Sequence, residues 1–345
     1  MSRSDQDRRN EYNRALHILL AKQRCRGHAL SCFLDDHPSE LMPRHPHHVS
    51  GARNFEGDLL VNSSFRYAPR GELPPELRDR PPLVDGFLKG FPLAWIEDAG
   101  TRIWTPFWVR NEWVPALESL RAGQPVPATL PRHMQQMLAA TNVLVRSEQE
   151  QEQRRTWERI CEDAAAQFRT LGYAVVRDLI SPVFLGAMRH YYRALVAGGR
   201  LPRGDDQVAE RYRLHSEPVA MFIHGQLSWL VGQIAGEPVK PSYLYFASYP
   251  SGSALPKHVD RIQCEFSISL LVDYSPDPRG PCGWPLFLEH ADLPGGVVSA
   301  DLGVGDAVFY RGRRLVHYRD RLREGHQSSS IFLHYLSPQF VGDTF

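Results

Sequence analysis

From Pro241 to its end the chain breaks into short apolar runs, and this rhythm limits the possible folds more than any other feature. The runs are Tyr243–Tyr249, Phe266–Tyr274, Leu286–Glu289, Val297–Ala300, Ala307–Tyr310, Leu315–His317 and Ser330–Leu336. Turn-forming segments such as Ser275-Pro-Asp-Pro-Arg-Gly-Pro separate them. Runs this short, bounded by proline and glycine, read as strands rather than helices. Many short strands with regular turns predict a β-sandwich or a jelly-roll barrel.

Upstream the pattern is different. Tyr12, Leu16, Leu19 and Leu20 fall at helical spacing, which predicts a helix within residues 10–35. Residues 38–131 hold 14 of the 27 prolines and four of the seven tryptophans, Trp95, Trp104, Trp108 and Trp113. Such a segment favours short strands and turns around aromatic anchors. Within it Phe91-Pro-Leu-Ala-Trp-Ile reads as a strand, and Glu112–Leu120 and Pro131–Ala140 read as short helices. The charged run at 147–155 reads as a solvated helix start or linker. Beyond it Trp157, Ile160, Cys161, Ala164, Phe168 and Leu171 share one helical face, and Gly172 stands where a helix-ending glycine belongs. Tyr173-Ala-Val-Val predicts a strand. Ser181-Pro182 predicts a helix start with the serine as N-cap. A further helix is expected from about Val219 to Ala235, ending at Gly236. At roughly 150 residues per domain, the 345 residues suggest two domains, and the change of pattern puts the boundary near 148. The expectation is an α+β chain: an N-terminal α+β domain at 1–147, and a β-rich domain with flanking helices at 148–345.

Charge and composition exclude several classes. Forty Lys and Arg oppose 39 Asp and Glu, a net charge of +1, which argues against nucleic-acid binding by bulk charge. No run approaches the ~18 apolar residues of a membrane span, and no secretory leader is expected at Met1. Five cysteines (Cys25, Cys32, Cys161, Cys264, Cys282), odd in number and without zinc-type pairing, read as reduced thiols of a cytoplasmic protein.

The chemistry concentrates in Leu255-Pro-Lys-His258-Val-Asp260-Arg261. On an extended strand residues two apart point the same way, so His258 and Asp260 can bind one ion. His317, in Arg314-Leu-Val-His317-Tyr-Arg319, is the third candidate ligand, 57 residues after Asp260. Two imidazoles and one carboxylate form the facial triad of non-haem Fe(II) oxygenases, which leaves three positions open.

His258-x-Asp260 follows Tyr249-Pro-Ser-Gly-Ser and precedes Phe266-Ser-Ile-Ser-Leu-Leu-Val-Asp. Gly303-Val-Gly-Asp306 stands shortly before His317. At these points the chain resembles the Fe(II)/2-oxoglutarate-dependent dioxygenases over about residues 160–340. The resemblance implies a double-stranded β-helix, Fe(II) held by His258, Asp260 and His317, 2-oxoglutarate as chelating co-substrate, and O2 as oxidant. It implies hydroxylation of an unactivated C–H. Asp260 argues against halogenation, which needs the carboxylate ligand absent.

The chain departs from the family at one place. The arginine or lysine that grips the far carboxylate of 2-oxoglutarate usually follows the distal histidine, often as Arg-x-Ser. Here the window reads Gly325-His326-Gln327-Ser328-Ser329-Ser330. Three explanations stand open. Arg319 supplies the charge; or Arg213 or Arg261 reaches in; or the enzyme does without 2-oxoglutarate. Tyr243, Tyr245 and Ser328 are candidate hydroxyl partners for that carboxylate. Arg213 and Arg261 are also candidate substrate contacts, as is the cluster Tyr212-Arg213-Leu-His215-Ser-Glu217, whose other reading is a helix cap. Glu265, Ser267 and Ser269 form one polar strand face that lines the cavity or meets water. Cys264 reads as a small buried residue, His290 as a turn position, His334 as a packed or pocket-lining histidine, and the trio His45, His47 and His48 as a proline-broken surface loop. Residues 117–145 resemble small winged-helix-like modules found beside peptide-modifying enzymes. The expected partner is therefore a small-molecule, peptide or carrier-tethered substrate, with no nucleic acid and no membrane.

Overall fold

Residues 58–78, 92–199, 201–278 and 280–342 are described by a computed structural model. The helix expected within 10–35, the trio His45, His47 and His48, Cys25 and Cys32 lie outside the described residues.

Strands β1 (Leu59–Val61), β2 (Arg66–Ala68), β3 (Leu93–Glu97) and β4 (Trp104–Trp108) come first, then α1 (Val114–Ser119), α2 (Arg132–Ala140) and β5 (Leu144–Arg146). β2, β3 and β4 form an antiparallel meander, while β1 pairs with β5. Pro106 sits in β4, an edge strand, where its missing N–H costs no ladder bond. Trp95, Trp104, Trp108 and Trp113 are all buried and act as the expected anchors.

α3 (Gln149–Leu171) buries Trp157, Ala164 and Phe168 and closes at Gly172 in the left-handed region, φ 76°. The Trp157 indole lies so close to Gly100 that a Cβ there would sit 1.8 Å from the ring. Trp104 N–H donates to Gln226 Oε1 at 2.8 Å, and Arg102 lies 4.0 Å over the Trp229 ring. Buried residues from Val61 to Tyr335 form one contiguous core that crosses position 148.

Next come β6 (Tyr173–Val176), α4 (Pro182–Ala197), β7 (Tyr212–His215) and α5 (Pro218–Ala235). Ser181 takes the N-cap position of α4 but makes no side-chain cap bond. The working cap belongs to α5. The Glu217 carboxylate accepts from Val219 and Ala220 N–H at 3.0 and 2.9 Å, and from the Tyr191 and Tyr192 hydroxyls. Glu217 is thereby fully buried and structural.

The remaining strands are β8 (Lys240–Tyr249), β9 (Leu255–His258), β10 (Phe266–Ser275), β11 (Leu286–Glu289), β12 (Val297–Ala300), β13 (Ala307–Tyr310), β14 (Val316–Arg319) and β15 (Gln327–Leu336). They form two antiparallel sheets, β6-β13-β10-β15-β8-β7 and β12-β11-β14-β9. This is consistent with the jelly roll expected from the sequence. On the six-stranded sheet the even residues of β8 pack outward, Phe246 stacking on Tyr192 of α4 at 4.3 Å. The odd residues face the second sheet, where Tyr249 meets Trp284 at 5.3 Å. No helix among the described residues is long and apolar enough to cross a membrane.

Candidate metal centre

β9 ends at His258 and pairs with β14, which places His258 directly opposite His317. Their ring centroids are 4.1 Å apart. Asp260 Oδ1 lies 3.4 Å from His317 Nε2 and 3.9 Å from His258 Nε2. One ligand atom from each of the three falls within 4.8 Å of the others. Backbone carbonyls fix the rings from behind: Pro256 O lies 2.8 Å from His258 Nδ1 and Leu315 O 3.0 Å from His317 Nδ1. With Nδ1–H donating to these carbonyls, each Nε2 lone pair is free for an ion. Burial, then His317, lowers the His258 pKa, so the ring stays neutral. Burial alone would raise the Asp260 pKa; the hydrogen bond and charge of His317, then His334 and Ser267, overcome it and hold the carboxyl at about 2. Two imidazoles and a carboxylate are a donor set that a divalent first-row metal takes.

Asp260 is held on its other side as well. Ser267 Oγ donates to Oδ2 at 2.7 Å and lies 2.9 Å from His334 Nδ1. A hydroxyl has one proton, so His334 Nδ1–H donates to Ser267. His334 Nε2 is then buried with no partner. Asp260 N–H donates to Gly312 O at 2.8 Å, and a Cβ on Gly312 would stand 2.2 Å from Asp260 Oδ2. Cys264 makes a second candidate cluster with Asp260 and His334. Its thiol donates to the Tyr243 hydroxyl at 3.2 Å, and burial, then Asp260, pushes it up to about 12. It therefore remains a protonated, packed thiol.

The Arg319 side chain enters the space between the sheets. It is buried, stacks 4.7 Å over the Trp284 ring, and donates Nη1–H to Trp284 O at 2.5 Å. Its Nη2 is buried without a partner, and among the described residues no carboxylate comes within ion-pair distance of it. Ser328 Oγ is a second buried, unpartnered atom. Ser328 stands opposite Tyr249 of β8 and Tyr274 of β10. The position of the usual family arginine is filled by His326, whose Nδ1 meets Tyr274 OH at 2.9 Å. A buried cation with no counter-charge is costly unless an anion completes it. The orphaned donor of Arg319 and the Ser328 hydroxyl fit the far carboxylate of 2-oxoglutarate.

Tyr243 and Tyr245 are elsewhere. The register brings Tyr249, not these two, opposite Ser328. Tyr243 stacks on His334 at 4.5 Å, and Tyr245 on Phe332 at 4.8 Å and on His215 at 5.3 Å. Arg213 Nη1 lies 3.4 Å from His215 Nε2, and Arg261 is exposed beside the triad loop. Ser267 and Ser269 are buried, so this face of β10 lies inside the protein; Glu265 accepts from Ser337 N–H instead. His290 caps a turn through Asp292 N–H. Sequence reasoning missed Tyr249, Trp284 and Gly312, which only strand pairing brings to the site. Arg211 was missed too: it donates to the Tyr249 hydroxyl at 3.0 Å.

No family model matches the chain, and no curated protein matches it. Among solved structures it is similar to a Pseudomonas putida prolyl-4-hydroxylase, at 16% identity over 51% of this chain and 98% of that one, with a TM-score of 0.42. A Trichoplax adhaerens prolyl hydroxylase in complex with a hypoxia-inducible-factor peptide matches at 15% identity over 54% and 93%, TM-score 0.45. The non-heme alpha-ketoglutarate-dependent epimerase SnoN from nogalamycin biosynthesis matches at 17% over 55% and 91%, TM-score 0.42. Each of these matches covers about half of this chain, with a TM-score below 0.5, and assigns it no reaction.

Proposed function

We propose that this protein is a mononuclear Fe(II)/2-oxoglutarate-dependent oxygenase built on a double-stranded β-helix. His258, Asp260 and His317 are the metal ligands. Arg319, with Ser328, receives the far carboxylate of 2-oxoglutarate. The observation that carries this reading is the buried, unpaired Nη2 of Arg319 in the same barrel as a complete two-His, one-carboxylate cluster. Bound iron, with 2-oxoglutarate and O2, supplies the oxidising chemistry, and succinate and CO2 leave as by-products. The chain's own residues do the positioning. Pro256 and Leu315 carbonyls hold the two imidazoles, and Ser267 and Gly312 hold the carboxylate. The partly exposed His258 and Asp260 leave the cluster open on one side for substrate. The reaction is hydroxylation of an unactivated C–H in an amino-acid-derived, peptide or carrier-tethered substrate, contacted by Arg213 and Arg261. Residues 1–147 help to present it. A chain beginning at residue 148 that stays folded and keeps full substrate affinity removes that last role.

The test is anaerobic reconstitution with Fe(II) followed by 2-oxoglutarate. A visible metal-to-ligand charge-transfer band is expected in the wild type and lost in His317→Ala. Iron binding without a band favours the second reading, an Fe(II) oxidase that draws its electrons from the substrate; the missing arginine at position 326 supports it. Failure to bind iron leaves a non-catalytic jelly-roll binding protein.

A further inference from the structure

The inner face of the six-stranded sheet carries an aromatic surface that the metal and co-substrate do not use. His215 of β7, Tyr243 and Tyr245 of β8 and His334 of β15 lie side by side across neighbouring strands. The Tyr243 and Tyr245 rings are nearly parallel, 12° apart with centroids at 6.4 Å, and His215 lies 5.3 Å from Tyr245. On β8 the alternate residues Ser242, Leu244 and Phe246 are buried, whereas Tyr243 and Tyr245 are partly exposed. Rings that face a barrel interior and still meet solvent border an open cleft. The cleft borders the triad, because His334 lies 4.0 Å from Asp260 Oδ2.

The charge around these rings is one-sided. Burial, then Arg213, Arg261 and Arg211, pushes the His215 imidazole down to about 4, and Asp205 is the acid that opposes them. Asp205 is already bound to Arg211 at 2.6 Å and lies 3.8 Å from Arg213. Arg261 makes no side-chain hydrogen bond or ion pair among the described residues. Arg211 and Arg213 thus share one carboxylate, Arg261 adds a third guanidinium with none of its own, and the charge of Asp260 is committed to the proposed metal. Beside Arg261 the triad loop exposes Val259 and Ile262, 48% and 61% accessible, an apolar lip with nothing packed on it.

We propose that the part of the proposed oxygenase's substrate that enters the site carries a flat ring and an acid group. The ring lies on Tyr243, Tyr245 and His215, and the acid group is held by Arg261 and Arg213. Aromatic faces by themselves also attract cations, but the surplus guanidiniums here repel them and provide charge-assisted donors for an anion. This rests on the proposed function for the chemistry, not for the binding.

The test uses the full chain, anaerobic, with saturating Fe(II) and 2-oxoglutarate, so that Arg319 is occupied. Three probes are titrated by calorimetry: 2-naphthoate, 2-naphthylmethylamine and decanoate. The expected order is 2-naphthoate tightest, decanoate weaker and the amine weakest. Arg261→Ala, whose side chain is exposed and whose loss leaves the fold intact, is expected to weaken 2-naphthoate at least about tenfold, with Arg261→Lys restoring part of it. Amine binding equal to or tighter than 2-naphthoate, decanoate equal to 2-naphthoate, no binding of 2-naphthoate, or an unchanged Arg261→Ala overturns the proposal. Iron and charge-transfer signals are read on the same samples. Their loss with 2-naphthoate binding intact sinks the oxygenase reading alone; their presence without 2-naphthoate binding sinks this inference alone.

Discussion

Ser267 donates its hydroxyl to Oδ2 of Asp260 at 2.7 Å, while the other oxygen of that carboxylate lies 3.4 Å from His317 Nε2. One oxygen is therefore tethered to β10 and the other is turned toward the imidazoles. Outer-shell partners of this kind tune metal sites by about 10–100-fold in affinity. Ser267→Ala is expected to weaken Fe(II) binding within that range, read by anaerobic metal titration. A metal affinity equal to that of the wild type would remove Ser267 from the site.

Arg319 offers a different signature. It is a buried cation without a carboxylate, which on the proposed reading adds little to stability and receives an anion. Arg319→Met is expected to leave the thermal midpoint unchanged or raised while weakening 2-oxoglutarate by roughly 100-fold, the usual scale for breaking a buried charge pair. Fe(II) binding should persist. Calorimetry with 2-oxoglutarate, beside a melting curve, checks both halves.

Gly312 is fixed by sterics. A Cβ there would stand 2.2 Å from Asp260 Oδ2, 2.4 Å from Ser267 Oγ and 2.7 Å from Cys264 O. Gly312→Ala is expected to displace the carboxylate and abolish stoichiometric Fe(II) binding, with a stability loss of about 1–3 kcal/mol from overpacking. Metal content after reconstitution and the unfolding midpoint measure the two effects separately.

Acid should destabilise the metal-free protein well above the carboxylate range. Burial drives His224 down to about 3, and it also lies against the His334 carbonyl. Its folded pKa is below the unfolded value of about 6.5, so the unfolded chain takes the proton first. Stability is full above about pH 6.5 and falls as the pH drops toward 3, by about 2 kcal/mol at pH 5 from this residue. His215, pushed down to about 4 mainly by burial, adds a loss of the same sign. His224→Gln should flatten the slope of stability between pH 7 and 5, measured by urea unfolding of the iron-free protein.

The two-residue spacing of His258 and Asp260 and the placement of His317 near the last strands were legible because strand periodicity is local. So were the helix end at Gly172 and the positions of the later strands, which proline and glycine mark directly. The β14 strand runs to Arg319, two residues beyond the expected end, and so keeps Arg319 on the strand that carries His317. The Ser181 cap was not realised, because a capping residue type specifies a capability and not a bond. Tyr243 and Tyr245 are hydroxyl candidates for the co-substrate carboxylate from the sequence, yet register puts Tyr249, not these two, opposite Ser328.

What the sequence determined by itself was the kind of element over much of the described chain and the pairing of His258 with Asp260 on one strand face, since both follow from neighbours two to four residues apart. Only the tertiary structure decided which side chains share the site. Ser267, His334, Gly312 and Trp284 reach Asp260 or Arg319 through pairings between strands far apart in the chain. A strand's own pattern does not encode its partner; burial of both sheet faces and the resulting register choose it.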